Sequence, residues 1–405
     1  MVLLQSSSFK CGVCNFPSLA SQGRVIDDKC GGLWRVHDKL YDLTAFAKLH
    51  PGGNWFIEST KGADITEYFE TSHPNQPMVR RMLAKYERKQ VFHPRNCPYT
   101  YAEDGFYRTL QKRVLLVLKP IPKGPSLQSK MLADSTLLCF LLLCCGAAIM
   151  QSYLLAFAAG SALACLLGSA HNFFHQKENF RSLYFDFSLM SSRDWMVSHV
   201  MSHHNYPNSS LDIEVSALEP FFLLLPSGTL PRRGSMVNAL VMLLMGLFVF
   251  PGQHAMRLAA CLLGESKLEL RRDCLRYLVI ALMAGLNPAL GWGLALKLWA
   301  MVHFSCSIVF IAFTLFAGSH HHDSTWHQGD ALKDTDFGIN QIDAIKDRSL
   351  FQSFVTRTFF FGEHHLHHLF PTVDHYYLPL LQPIFRKTCL EFGQQSLLCF
   401  SIYIM

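Results

Sequence analysis

The sequence lacks the features of nucleic-acid-binding proteins and of small proteins held together by disulfides. Only 16% of its 405 residues are charged, and the net charge of +6 is not gathered into a basic run, which suits loops that face anionic lipid headgroups rather than a nucleic-acid surface. The 13 cysteines are scattered and form no disulfide framework, and the CxxC at Cys11 and Cys14 has no second pair. No long apolar signal-peptide core opens the chain, which predicts a cytosolic first domain.

Long apolar runs predict a membrane domain. Half of the residues are hydrophobic, and residues 133–170 carry no charge beyond Asp134, enough for two helices of about 20 residues each. The run 277–318 predicts a helical hairpin, whereas the shorter run 236–252 has positive charge on both flanks and is predicted to lie in the cytosolic interface. Four crossings follow, with both termini and all histidine clusters in the cytosol.

Composition divides the chain into five segments. They are a flexible tail at 1–28, a small soluble domain at 29–93, a proline-rich basic linker at 94–130, a membrane domain at 131–390 and a C-terminal tail at 391–405.

The soluble domain contains a candidate haem site. His50 stands in an HPGG turn and His73 follows at the end of "EYFETSH", so two neutral imidazoles could clamp a haem iron from both sides. The segments "LWRVHDKLYDLTAFAKLHPGG" and "GADITEYFE" resemble the cytochrome b5 family, and the resemblance implies an α+β fold with His50 and His73 as axial ligands of haem b. The alternative is a structural domain with two unrelated histidines.

Acidic residues between these histidines form a candidate docking surface. The segment between His50 and His73 has one basic residue, Lys61, and four acidic ones: Glu58, Asp64, Glu67 and Glu70. This excess of negative charge predicts an acidic rim that steers a basic redox partner. The alternative is a solvated face without a partner.

Most of the 20 histidines cluster beside the apolar runs. "HNFFH" places His171 and His175 on one helical face just after the second predicted span, "HVMSHH" adds three imidazoles, and His364, His367 and His368 of "HHLHH" add three more at helical spacing. Eight ring nitrogens exceed what one metal binds but suit two, and an all-nitrogen site with open positions fits iron better than zinc.

The region 131–390 resembles the membrane fatty acid desaturase and hydroxylase superfamily, in which three histidine boxes hold two irons. The resemblance rests on "SHHNYPN" and "HHLFP", and the whole chain is similar to insect fusions known as cytochrome b5-related proteins. It implies the ligands His171, His175, His199, His203, His204, His364, His367 and His368, with a ninth from His320, His321 or His322, of which we favour His321. The fold implied is an all-α four-helix transmembrane domain with a cytosolic histidine-rich cap.

Three positions depart from the family pattern. His364 replaces a usual Gln, box two is HxxxHH rather than HxxHH, and Asn172 stands where Asp is common. Candidates to orient the ligands through hydrogen bonds are His365, His327, Asp194, Asp212 and Asp343, although each of the carboxylates could instead be a cap or a surface charge. The remaining histidines, His375 among them, are interpreted as structural.

The combination implies an oxidoreductase of the endoplasmic reticulum membrane. A lipid or fatty acyl chain would be desaturated with O2, with electrons passing from NADH-cytochrome b5 reductase through the fused haem domain to the two irons. Two alternatives stay open. One is a lipid hydroxylase of the same superfamily, and the other is a haem redox carrier or regulatory membrane protein with a non-desaturating metal site.

Overall fold

A computed structural model describes residues 25, 27–73, 76–177, 179–216, 235–264, 266–288, 291–317, 320, 324–348, 352–394 and 398–399. The chain folds as a small sheet-containing N-terminal domain followed by a helical domain, which confirms the predicted fold class.

The N-terminal domain is built on three antiparallel strands in the order β1–β2–β3: Trp34–Val36, Lys39–Tyr41 and Glu87–Gln90. Helices α1 (Asn54–Ser59), α2 (Thr66–Ser72) and α3 (Gln76–Leu83) lie between the second and third strands. The core of this domain includes Trp34 and Phe69, and the indole of Trp34 donates to the Ile57 carbonyl at 2.9 Å. The loop before α1 and the end of α2 therefore share one small scaffold.

Helices α4 (Phe106–Leu118), α5 (Leu127–Met150) and α6 (Tyr153–His171) come next. Ser126 and Ser152 cap the last two helices by accepting from backbone N–H groups, and Gln151 takes a left-handed conformation in the turn between them. At Gly160 a Cβ would overlap Ser305 Oγ and the Val302 carbonyl, so this glycine lets α6 lie directly against a later helix.

The rest of the helical domain alternates short helices, which form a cap at one end of the bundle, with longer ones. The helices are α7 (Ser192–Trp195), a π-helix (Met196–His203), α8 (Ile213–Ser216), α9 (Ser235–Leu262), α10 (Leu270–Asp273), α11 (Leu275–Leu286), α12 (Gly291–Ala317), α13 (Phe337–Asp343), α14 (Phe354–Phe359), α15 (His364–Leu369) and α16 (Gln382–Glu391). Strands β4 (Asp347–Arg348) and β5 (Leu398–Cys399) pair in parallel, and 3-10 helices cover Phe180–Phe187 and Leu378–Leu381.

Three helices of the described residues are long and apolar enough to cross a membrane: Leu127–Met150, Tyr153–His171 and Gly291–Thr314. The fourth predicted crossing corresponds to α11, which is apolar but has 12 residues and is therefore only about 18 Å long. Its following residue, Asn287, donates to the Ala148 carbonyl at 3.1 Å, so α11 ends beside the end of α5. The turn between α5 and α6 and the turn after α11 thus lie at the same end of the bundle.

The run 236–252 is part of α9, and its packing differs from the predicted interfacial position. Phe250 packs on Phe310, and Ser307 Oγ contacts the Gly246 carbonyl, so the middle of α9 lies along the spanning helix α12. The charges that flank this run could not reveal the helix–helix contact.

The segment 94–130, predicted as a linker, contains helix α4 and belongs to the folded body. Phe106, Leu110 and Val114 recur at helical spacing and are fully buried against α13, α15 and α16. The prolines on both sides of α4 favour a linker by composition, whereas the apolar stripe between them forms a buried helix.

Candidate haem and metal centres

His50 and His73 face each other across a narrow gap in the N-terminal domain. Their ring centroids lie 6.1 Å apart. The Nδ1 atom of His50 is 2.9 Å from the Gly53 carbonyl, and that of His73 is 2.8 Å from the Phe69 carbonyl. Because a carbonyl can only accept, each Nδ1 carries the proton and each lone pair is on Nε2, the tautomer that binds a metal.

The pair fits a bis-histidine haem site. Two imidazoles bonded to one iron through Nε2 at about 2 Å would have centroids roughly 6 Å apart, close to the observed spacing. Burial lowers the pKa of His50 and lowers that of His73 to about 4, so both rings are neutral at physiological pH. At Gly52 a Cβ would lie 2.8 Å from the His50 ring, which explains the glycine in the turn.

Nine histidines meet in the cap at the end of α6, in two groups. The first group is His171, His175, His199, His204 and His367, and the second is His203, His320, His364 and His368. Within each group the candidate ligand atoms lie within 4.8 Å of one another, and all nine side chains are buried. Three boxes far apart in sequence therefore form one site.

The first group cannot be explained by hydrogen bonds among its members. His171 Nε2 lies 2.7, 3.1 and 3.2 Å from the Nε2 atoms of His199, His175 and His367. One ring nitrogen has either one proton or one lone pair, so it cannot satisfy three such contacts at once. Nitrogens bonded at about 2.1 Å to a common metal at right angles are about 3 Å apart, which matches the spacing. The group therefore fits a metal ion.

In the second group, His320 Nε2 lies 3.1 Å from His203 Nε2 and 2.8 Å from His364 Nε2. His364, which replaces the family's usual Gln, thus contributes a nitrogen of its own to the cluster. The favoured ninth ligand, His321, lies outside the described residues, and its neighbour His320 lies in this group. Spacing within a run of three histidines gave no means to choose between them.

A π-helix accommodates the extra residue of box two. The His204 N–H donates to the His199 carbonyl at 3.0 Å, an i to i+5 bond in place of the α-helical i to i+4 bond. The wider turn brings His199 and His204 to the first group and leaves His203, between them, for the second. The π-helix therefore keeps all three histidines of box two in the cluster despite the extra residue.

Polar groups behind the candidate ligands fix their ring orientations. Nδ1 of His199 contacts Glu214 at 3.0 Å and Nδ1 of His203 contacts Asp212 at 2.8 Å, so both present Nε2 to the cluster. Burial alone would raise the pKa of Glu214, but the His199 contact holds it at about 2, which keeps the carboxylate ionised. Further orienting contacts are Gln341 with His368, the Ala344 carbonyl with His320, and His375 with His367.

Among the sequence candidates for these orienting roles, Asp212 contacts a clustered histidine, and the contacts found for the others in the described part of the chain lead elsewhere. Asp194 pairs with Arg257 and Asp343 with Lys333. His365 pairs with Asp347, and His327 Nδ1 contacts the Thr325 carbonyl. Glu214, Gln341 and His375 were missed because nothing in their local sequence indicates a neighbour in a distant box.

Asn172, where the family often has Asp, is explained by a buried carboxylate. Its Nδ2 donates to Asp374 Oδ2 at 2.9 Å, and its Oδ1 accepts from the His375 backbone at 3.1 Å. Asp374 also accepts from Ser126 and Ser129 at the start of α5. A second carboxylate at position 172 would face Asp374 directly, so the amide is the residue that this packing requires.

The predicted acidic rim is not available to a partner, a correction to the sequence interpretation. Glu67 and Glu70 are fully buried, and only Glu58 of the four acids is exposed. Arg95 pairs with both Asp64 and Glu67, while Arg80 and Arg108 pair with Glu70. The segment predicted as a linker supplies two of these arginines, which sequence alone does not place beside α2.

The same helix α2 contacts the metal-centre cap. Tyr206 donates to Glu67 Oε2 at 2.7 Å, and Thr71 Oγ1 lies 3.4 Å from Asn205 Oδ1. From α1, Trp55 stacks under the Arg193 guanidinium at 4.5 Å. The haem-type domain is therefore docked on the cap, with α2 beside box two.

Comparison with known proteins identifies both parts of the chain. The family described as "Cytochrome b5-like Heme/Steroid binding domain" matches residues 25–91, and "Fatty acid desaturase" matches residues 147–396. The chain is 36% identical over 381 residues to "Cytochrome b5-related protein" of Drosophila melanogaster, covering 92% of this chain and 85% of that one. It is 24% identical over 413 residues to "Acyl-lipid (8-3)-desaturase B" of Dictyostelium discoideum, covering 89% and 86%.

A shorter match lies in the first domain: the chain is 41% identical over 51 residues to "Cytochrome b5 type B" of Rattus norvegicus, covering 13% of this chain and 34% of that one. No solved structure matches the chain at a significant level. The matches cover the two regions that carry the haem-type pair and the histidine clusters. The chain therefore belongs to the fatty acid desaturase family, as a member with an N-terminal cytochrome b5-like domain.

Proposed function

We propose that this protein is an O2-dependent desaturase of membrane lipids or fatty acyl chains that is reduced through its own haem domain. The observation that carries the proposal is that two groups of buried histidines lie in the cap that the haem-type domain contacts. The domain division proposed with it is haem domain 29–93 and membrane desaturase domain 131–390, joined by the segment 94–130, whose helix α4 packs in the folded body.

The nine histidines of the two groups are proposed to hold two irons, five in the first group and four in the second. Two irons bound there would supply the oxidising power that breaks an unactivated C–H bond. The chain's own part is to hold Nε2 atoms in place through Glu214, Asp212 and Gln341, and to exclude water by burying every ligand. Removal of two hydrogens from the acyl chain, with O2, two electrons and two protons, gives one double bond and two waters.

Haem to metal-centre electron transfer is supported by the contact of Thr71 with Asn205. Thr71 lies two residues before the axial candidate His73, and Asn205 directly follows the candidate ligand His204. We propose a cytosolic orientation of both sites at the endoplasmic reticulum, with NADH-cytochrome b5 reductase as electron donor. The apolar helices are consistent with a membrane position.

Lipid profiling tests the reaction. Yeast expressing the chain is expected to accumulate an acyl chain with a new double bond, and His367→Ala and His50→Ala are each expected to abolish it. A new hydroxyl instead of a double bond would identify a hydroxylase. Purified protein with haem but no other iron would contradict the two-iron site and favour a redox carrier.

A further inference from the structure

The haem domain has a basic, partly apolar surface beside its axial histidines, on helix α3 and the adjacent loop. It consists of Lys48, Leu49, Met78, Arg81, Met82 and Lys85, and we call it the α3 face. The last four recur at i, i+3, i+4 and i+7, so they share one side of α3 and the turn that follows it. The loop is tied to the end of this segment by Phe46, whose ring packs on both His50 and Tyr86.

The apolar members of the α3 face are not core residues. Leu49 is 70% exposed, Met78 47% and Met82 38%. Exposed apolar side chains grouped with cations are typical of an interaction surface, and methionine adapts readily to different partners. Leu49 immediately precedes His50, which places the α3 face at the border of the haem site.

The cations of the α3 face are available for long-range attraction. Lys48, Arg81 and Lys85 are exposed, and none has an acidic partner within the described part of the chain. The acids of α2 that could have balanced them are instead buried in ion pairs with arginines. The exposed surface next to the haem site is therefore positive, the opposite of the charge expected from the sequence.

We infer that the α3 face is the electron-entry surface of the haem domain, and that it docks a redox protein with an acidic surface. The inference rests on the proposed haem relay and adds the charge of its partner. In the step, a reduced flavoprotein is oxidised as one electron passes to the haem, whose iron goes from ferric to ferrous. Because α1 and α2 contact the metal-centre cap, the donor binds without displacing the haem domain from it.

Two small redox ions of opposite charge test whether electrons exchange with the haem at the α3 face. The full-length protein, reduced and anaerobic in detergent, is mixed with ferricyanide, an anion, or with tris(phenanthroline)cobalt(III), a cation, and haem oxidation is followed by stopped-flow absorbance. At low ionic strength the double variant Arg81→Glu/Lys85→Glu is expected to slow the anion roughly tenfold and to accelerate the cation. The control Lys61→Glu/Lys112→Glu changes net charge equally at exposed positions elsewhere and is expected to change neither rate more than about twofold.

A protein donor and a vesicle distinguish the occupants. Reduction of the haem by flavodoxin hydroquinone, an acidic flavoprotein, is expected to slow roughly tenfold in the α3-face variant and to lose this difference at high salt. Unchanged rates with both ions and with flavodoxin, at an unchanged haem midpoint potential, would overturn the inference. So would unchanged rates together with lost binding to phosphatidylserine vesicles, which would assign the surface to the membrane. Lipid product is measured separately, so failure of the desaturase proposal leaves this test intact.

Discussion

Replacing Asn172 with Asp converts one buried hydrogen bond into a clash of charges. In the protein, Asn172 Nδ2 lies 2.9 Å from Asp374 Oδ2, and Asp374 is 2% exposed. Two carboxylates at that separation repel by about 6 kcal/mol at an effective dielectric constant near 20. Protonating an ordinary aspartic acid at pH 7 costs about 4 kcal/mol, which is less, so the variant takes up a proton. The expected loss of stability is therefore about 4 kcal/mol.

The assay is thermal unfolding of the purified protein in detergent, followed by size-exclusion chromatography after heating. Because the entropy of unfolding grows with chain length, a loss of about 4 kcal/mol lowers the midpoint of a chain of this size by roughly 5 °C. Asn172→Asp/Asp374→Asn restores one amide and one carboxylate and is expected to recover part of this shift. Asn179→Asp is the matched control, since Asn179 Oδ1 accepts from the Arg181 N–H as a helix cap and an Asp caps equally well. If Asn172→Asp unfolded with the parent midpoint, the explanation of this departure from the family pattern would be wrong.

Three further predictions concern the two centres and their contact. Glu70→Gln leaves Arg108 buried without its counter-charge and is expected to lower the free energy of unfolding by about 3–5 kcal/mol. Limited proteolysis would detect this loss as earlier release of the haem domain. The control Glu103→Gln, at an exposed position, is expected to lower it by less than about 1 kcal/mol. Burial alone would raise the pKa of Glu70, but His37 and Arg108 hold it at about 2, so this stabilisation is present above pH 4.5 and is lost as the pH falls through about 2. His364→Ala and His367→Ala are each expected to lower non-haem iron toward one per chain while leaving the haem spectrum unchanged, and full occupancy in both would contradict the two-group assignment. His73→Ala is expected to remove the haem absorbance with non-haem iron retained, and an unchanged Soret band would refute its axial role.

What the sequence revealed was local, and what it missed depends on distant neighbours. The HPGG turn, the histidine spacings and the apolar runs can be interpreted within a few residues of chain, and they predicted the fold class and the two kinds of site. The contact of Asn172 with Asp374 joins positions 202 residues apart, and no local sequence pattern predicts it. Helix α4 was hidden for a different reason, because flanking prolines outweighed a short apolar stripe.

Docking changes the expected way in which the fused haem domain works. A flexible tether would raise the local concentration of the electron donor, and the acids of α2 would then remain in solvent to attract a basic partner. Instead, Glu67 is buried between Arg95 and Tyr206, one from the segment predicted as a linker and the other from the metal-centre cap. A carboxylate removed from water is tolerated only while both partners stay in place, since losing either leaves an uncompensated buried charge. The haem domain is therefore held in a fixed position on the cap, and the electron donor that we propose must approach from the face that remains exposed.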